Sequence, residues 1–180
     1  MKTFKVLALI GGISKDSLTK RLYGEVVKHN TTGLEFQTCD IALVPFFSQD
    51  IEYNPPKSVA ELQDSVRQTD AVLFITPEYN RSFPGVLKNA IDWCSRPWGS
   101  NLWATKPGAI MSASIGKIGG FGAQQHLKNV CAFLDISVMN QPEYYLDASG
   151  SMDEKGLLPD SIVFLQNYLK SFEQWIIGKI

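Results

Sequence analysis

The sequence has little that would mark a secreted, metal-bound or membrane-spanning protein. Its three cysteines, Cys39, Cys94 and Cys131, are odd in number and widely spaced. That fits neither a disulfide framework nor a zinc pattern, and a reducing cytoplasm is the simple inference. No apolar run approaches the roughly 20 residues that a membrane span requires. The apolar stretch after Met1-Lys2-Thr3 lacks the cleavage site of a signal peptide and reads as a strand. Seventeen basic and 18 acidic side chains leave a formal charge of −1, without the basic face that nucleic-acid binding needs. Histidine is scarce. His29 and His126 have no neighbours that form a charge relay, so a helix surface or a local hydrogen bond is expected for each. Repeats, linkers and low-complexity segments are missing too. With 44% apolar and 19% charged residues, one domain over residues 1–180 is expected.

What is present is an alternation of short apolar runs and amphipathic stretches. Residues 4–10 are nearly all apolar, as in a strand buried on both faces of a parallel sheet. Leu18, Leu22 and Val26 then repeat at helical spacing to about His29. Strands are expected over 34–40, 70–76, 107–113 and 136–139. A long proline-containing loop is expected over 41–57. Ser58 and Glu61 form a capping-box signature for a helix to about Thr69, and Pro84 opens another over 85–95. Leu127, Val130 and Leu134 share one helix face. Asp160 is expected to cap a last helix with a stripe of Ile162, Leu165, Leu169, Phe172 and Ile176. The order predicts an α/β fold: a doubly wound, five-stranded parallel sheet of order 2-1-3-4-5 with helices on both faces. Ligands of such sheets bind beyond the carboxyl ends of the strands, at the switch point.

Three loops fall there. The first reads Gly11-Gly12-Ile13-Ser14-Lys15-Asp16-Ser17-Leu18-Thr19. Its glycines permit close backbone approach, and the helix that follows offers free N–H groups to an anion. It is neither the dinucleotide fingerprint G-x-G-x-x-G nor a Walker loop. Hydroxyls at Ser14, Ser17 and Thr19, with Lys15, suit a terminal monophosphate; the same residues equally serve as helix caps. The second loop, from Pro77 and Glu78 through Tyr79 and Asn80 to Pro84-Gly85, can offer an aromatic face and hydrogen bonds, or be turn chemistry alone. The third, 112–120, carries Ser114, Gly116, Gly119 and Gly120. There a backbone can pass close to a ligand, or the glycines simply loosen a loop.

Residues 77–97 follow the pattern P-E-Y-N-x-S-x-P-G-x-L-K-N-A-I-D-W-x-S-R-P almost without a gap. In this the chain resembles the NAD(P)H-dependent FMN reductase family of flavodoxin-like quinone, chromate and azo-dye reductases. The other two loops agree in spacing. The resemblance implies FMN as cofactor and NADPH or NADH as reductant. It places Gly12, Ser14, Lys15, Ser17, Leu18 and Thr19 around the FMN phosphate. Pro77, Glu78, Tyr79, Asn80, Ser114, Gly116, Gly119 and Gly120 fall near the ring. Hydride transfer to flavin N5, then electron transfer to a small-molecule acceptor such as a quinone, free flavin, azo compound or metal ion, follows a ping-pong order. No catalytic side chain and no metal is expected, because the cofactor carries the chemistry. The resemblance also implies a homodimer, in some relatives joined into a tetramer, with the helix bearing Ala90, Trp93 and Cys94 against the second subunit.

Two alternatives share parts of this pattern. An FMN-binding electron carrier or redox sensor would lack NAD(P)H oxidation, but carriers tend to be strongly acidic and this chain is not. A nicotinamide-binding dehydrogenase lacks its glycine fingerprint here, although Asp40 ends the second strand.

The chain departs from the family pattern at named positions. Gly12, Ser14 and Thr19 stand where the family's first loop has serine, arginine and asparagine. Gly122 and Gln125 replace an arginine and a tyrosine that help build tetramers in some relatives, while Gln141-Pro142-Glu143 matches. Losing the loop arginine removes a bidentate phosphate contact. Ser14→Arg is therefore expected to tighten FMN binding about tenfold, the worth of one charged contact. Fluorescence titration of apoprotein measures it; an unchanged or weaker dissociation constant contradicts the expectation.

Overall fold

The computed structural model describes residues 2–180. Its first half alternates β1 (Phe4–Ile10), α1 (Leu18–His29), β2 (Leu34–Thr38), α2 (Lys57–Arg67) and β3 (Ala71–Thr76). Then come α3 (Gly85–Cys94), β4 (Pro107–Ser114), α4 (Phe121–Phe133), β5 (Ser137–Val138) and β6 (Tyr144–Asp147). One helical turn, α5 (Ala148–Ser151), and a small hairpin of β7 (Met152–Asp153) and β8 (Gly156–Leu157) lead into α6 (Pro159–Ile177).

The strands form a parallel sheet of order β2-β1-β3-β4-β5, with β6 also paired to β4. All six residues of β3 are buried, which only a strand covered on both faces can achieve. Side chains alternate between two cores. Val6, Leu73, Ile75 and Met111 face Leu22 and Val26 of α1 and Leu165, Leu169 and Phe172 of α6. Leu7, Leu9, Phe74 and Ile110 face α2, α3 and α4 through Val59, Leu62, Leu87, Ile91, Leu127 and Cys131. The period of two along each strand thus divides one apolar run between two helix layers. The flavodoxin-like order expected from the sequence is the order observed.

Several details differ. α2 starts at Lys57 after Pro56, so Ser58 lies inside the first turn and caps nothing. Pro159 opens α6 behind Leu158, which leaves Asp160 within the helix as a first-turn acid. In both cases proline sets helical entry ahead of the polar residue. The loop 41–57 contains two 3-10 turns, Ile41–Leu43 and Gln49–Ile51. The fifth strand position is shared: β5 pairs with only the first two residues of β4, and β6 with its last four. Trp93 is fully buried, as are Ala90 and Cys94. Its indole N–H donates to the Pro45 carbonyl at 2.7 Å, so it braces the 41–57 loop and presents no surface to a partner.

A buried carboxylate ties the C-terminal hairpin to α1. Glu25 accepts from the Leu157 backbone N–H at 3.0 Å, from Lys28 at 3.3 Å and meets His29 at 3.1 Å. Burial alone would raise its carboxyl, but the Leu157 N–H, Lys28 and His29 together hold it below the ordinary value of 4.5. A carboxyl lowered by folding stabilises the native state above its unfolded pKa, and that contribution is lost as pH falls through the folded value. Glu25→Gln is expected to lower unfolding free energy by about 1–2 kcal/mol at neutral pH, the worth of a charged hydrogen bond. Urea unfolding between neutral and acid pH checks this: the gap between the two proteins should close below 4.5, and a gap independent of pH contradicts it.

Candidate functional site

The sheet winds outward from β1 to β2, then returns to place β3 on the other side of β1. The loops after β1 and β3 therefore start side by side, and the Gly11 N–H donates to the Ile75 carbonyl at 2.8 Å. A Cβ at Gly11 would lie 3.3 Å from both Pro77 Cδ and Leu87 Cδ2, so glycine permits this close approach.

In the first loop, Ser17 is the N-cap of α1 and its Oγ accepts from the Thr19 N–H at 3.2 Å. Ser17 Oγ and Thr19 Oγ1 are 2.8 Å apart, and the Gly12 N–H donates to Thr19 Oγ1 at 3.2 Å. Of the two hydroxyl protons, one joins the pair and the other remains to donate elsewhere. A Cβ at Gly12 would stand 2.2 Å from Ser17 Oγ and 2.5 Å from Thr19 Oγ1. Only glycine leaves this cradle open beside the orphan N–H groups and partial positive charge of the helix start. Ser14 and Lys15 lie exposed on the outer bend, and Leu18 packs partly buried against the α1–α6 core. Lys20 also belongs to this loop: its ammonium donates to the Ile13 carbonyl at 3.0 Å and pins the bend. A lysine one turn into the helix gave no signal of that in the sequence.

After β3, the chain turns tightly at Tyr79–Ser82. Each of these two residues donates its N–H to the other's carbonyl, at 2.8 and 3.0 Å. Asn80 and Arg81 adopt φ of +51° and +66°, a two-residue turn in which asparagine tolerates the left-handed region. Pro77 is half-buried behind this turn, and the ring of Tyr79 is 53% exposed above it, available as a flat face. The Glu78 carboxylate is engaged within the chain. It accepts from the Ala123 N–H of α4 at 3.2 Å and from Arg81 at 3.1 Å.

The third loop is fastened from below. Ser112 donates to the Gly119 carbonyl at 2.6 Å, and the buried Gln124 amide donates to Ser112 Oγ and to the Tyr144 carbonyl. Gly119 and Gly120 have φ of +62° and +88°, and a Cβ on either would fall 2.7 Å from Tyr145 or Ser112. Their close neighbours are thus strands of the same chain. Ser114 closes a small turn with Gly116, and Gly116 is exposed at the rim. His126 meets Ser82 Oγ at 3.1 Å, a local hydrogen bond on an exposed helix face. Glu143 is satisfied within the chain by Lys128 and by the Tyr145 hydroxyl, which hold its carboxyl below the ordinary range. Among the described residues no group of three or more His, Cys, Asp and Glu could hold a metal. Among the same residues, no helix is long and apolar enough to cross a membrane.

A cavity of about 940 Å³ lies elsewhere, between α3 and α4, with Arg96, Trp98 and Phe133 in its wall. Volume alone is a poor guide here. The loops at the carboxyl edge bring together backbone N–H groups, hydroxyls and an aromatic face at a helix start, whereas the cavity wall carries side-chain donors such as Lys88, Arg96 and Asn101 away from any helix start.

This combination of open parallel sheet, hydroxyl-lined helix start and edge loops defines a flavodoxin-like mononucleotide-binding protein. The chain belongs to the NADPH-dependent FMN reductase family, whose sequence model matches residues 4–150. It is 39% identical over 179 residues to 2-hydroxy-1,4-benzoquinone reductase of Burkholderia sp., covering 96% of each chain. It is 35% identical over 176 residues to an NAD(P)H-dependent FMN reductase of Pseudomonas aeruginosa, covering 96% of this chain and 95% of that one. The structure is similar to FerB, a flavoenzyme NAD(P)H:(acceptor) oxidoreductase from Paracoccus denitrificans. The TM-score is 0.92 at 37% identity, over 98% of this chain and 99% of that one. A flavodoxin from Pseudomonas aeruginosa shares the fold at a TM-score of 0.62 and 17% identity, over 94% and 99%. The protein is an oxidoreductase of a family that uses FMN and NAD(P)H.

Proposed function

We propose that residues 1–180 form one FMN-dependent reductase unit that oxidises NAD(P)H and passes the electrons to a quinone-like acceptor. Free flavins, azo compounds and metal ions are further acceptors of the same kind of site. The observation that carries this reading is the Gly12 cradle: two buried hydroxyls converge where a Cβ would collide, at the start of α1. A terminal phosphate fits that donor set. Gly12, Ser17, Leu18 and Thr19 would hold it through backbone and hydroxyl, with Ser14 and Lys15 on the outer side. Pro77, Tyr79 and Asn80 would flank one side of the ring, and Ser114, Gly116, Gly119 and Gly120 the other. Bound FMN supplies a hydride acceptor at N5 and an electron donor to the second substrate.

The chain's own residues bind and orient. Tyr79 lies half-exposed at an open edge, so reductant and acceptor can approach the same face in turn, which supports a ping-pong order. The names of the similar quinone reductases support the acceptor class. A homodimer in the cytoplasm is part of this reading. The intrachain engagement of Glu143, together with Gly122 and Gln125, argues against a tetramer built on those positions.

Anaerobic addition of NADPH or NADH to the FMN-loaded protein, followed by visible absorbance, tests the proposal. Rapid bleaching of the flavin band is expected. FMN binding without bleaching favours the electron carrier or sensor, and failure to bind FMN contradicts the reading.

A further inference from the structure

Helix α4 begins without a cap of its own. Its N-cap residue is Gly120, at φ +88°, with no side chain to accept a hydrogen bond. No larger residue can take this place, because a Cβ there would sit 2.7 Å from Ser112 Cβ and 2.9 Å from Ser112 Oγ. The amide that an N-cap side chain ordinarily satisfies is that of the third helical residue, here Ala123. Ala123 is buried, so leaving its N–H unpaired would be costly.

The partner comes from 45 residues away. Glu78 Oε2 accepts from the Ala123 N–H, and its side chain is only 13% exposed. Its other oxygen accepts from Arg81, the second residue of the Tyr79–Ser82 turn with positive φ. One carboxylate therefore caps α4 and stiffens the turn that carries Tyr79 and Asn80. A second link runs beside it, from Ser82 Oγ to His126 of α4. Gly122 leaves room for the arrangement: a Cβ there would lie 3.0 Å from the Arg81 carbonyl and 3.1 Å from Glu78 Oε2.

We infer that Glu78 is a positioning residue that locks the second and third edge loops into one clamp through the start of α4. It acts through the helix and not by touching the cofactor. The inference rests on the reading that these loops flank FMN. Its physical content is that the order of one loop depends on the other, so that a defect on either side weakens binding to both. The partial positive charge of the helix start favours the carboxylate, and Arg81 offsets its charge at the turn.

The test combines FMN titration by fluorescence with amide exchange and thermal unfolding of the apoprotein. Glu78→Ala is expected to raise the FMN dissociation constant about tenfold, the effect of losing one charged hydrogen bond. Gly122→Ala, on the other element, should raise it several-fold. The double variant should be weaker than wild type by less than the product of the two single effects, as for sites that share one interaction. Glu78→Gln keeps an acceptor for Ala123 and should recover most of the affinity. The Ala123 amide should exchange slowly in wild type and Glu78→Gln, and quickly in Glu78→Ala. If Glu78→Gln binds as poorly as Glu78→Ala while Gly122→Ala is normal, Glu78 contacts the cofactor directly and the inference fails. If Glu78→Ala lowers the thermal midpoint but leaves FMN affinity intact, the cap is structural only and the inference also fails. A wild-type protein that does not bind FMN overturns the functional reading and the coupling together. The Ala123 exchange still reports whether Glu78 caps α4, so the two failures are told apart.

Discussion

Parallel strands bring their carboxyl ends to one edge, and the reversal of winding between β1 and β3 brings two of the loops that follow them into contact. Everything at the candidate site depends on that constraint. The Gly11 N–H to Ile75 carbonyl bond sets the first loop against the second at its root. From there the first loop enters α1 at Ser17, whose hydroxyl, with that of Thr19 in the first turn, fills the volume a Cβ on Gly12 would need. The donor set at the helix start is thus a product of topology and of one missing side chain.

The third loop obeys a different constraint. Gly119 and Gly120 press against β6 and β4, and Ser112 with Gln124 fastens them from beneath. That tight packing removes any residue able to cap α4 locally, and Glu78 of the second loop supplies the cap. The first loop is joined to the second by the Gly11–Ile75 backbone bond, and the second to the third by the Glu78 carboxylate and the Ser82 hydroxyl. Preorganised groups held this way need little reordering when a ligand arrives.

Much of this was legible in the sequence. β1, β3 and β4 are largely apolar runs, and burial on both faces of a parallel sheet writes such runs directly into the chain. Ser17 stands at the N-cap where its residue type suggests. Ser58 and Asp160 had equally good local signatures and failed, because Pro56 and Pro159 start their helices earlier. β6 was missed although Tyr144 to Asp147 alternates between buried and half-buried; four residues are too short a run for periodicity to show. The role of the Glu78 carboxylate was out of reach for another reason. Its partner is 45 residues distant, and only the fold brings Ala123 beneath it. A faint signal existed in the run Gly119-Gly120-Phe121-Gly122, which opens a helix with no side chain able to cap it.

The central claim is that the carboxyl-edge loops, and not the cavity between α3 and α4, receive FMN. Titrating FMN into isotope-labelled apoprotein while following backbone amide resonances measures this most directly. The account predicts the largest shifts at Gly12, Leu18 and Thr19, at Tyr79 and Asn80, and at Gly116, with residues around Trp98 and Phe133 unmoved. Shifts concentrated at Arg96, Trp98 and Phe133, with the edge loops silent, would contradict it.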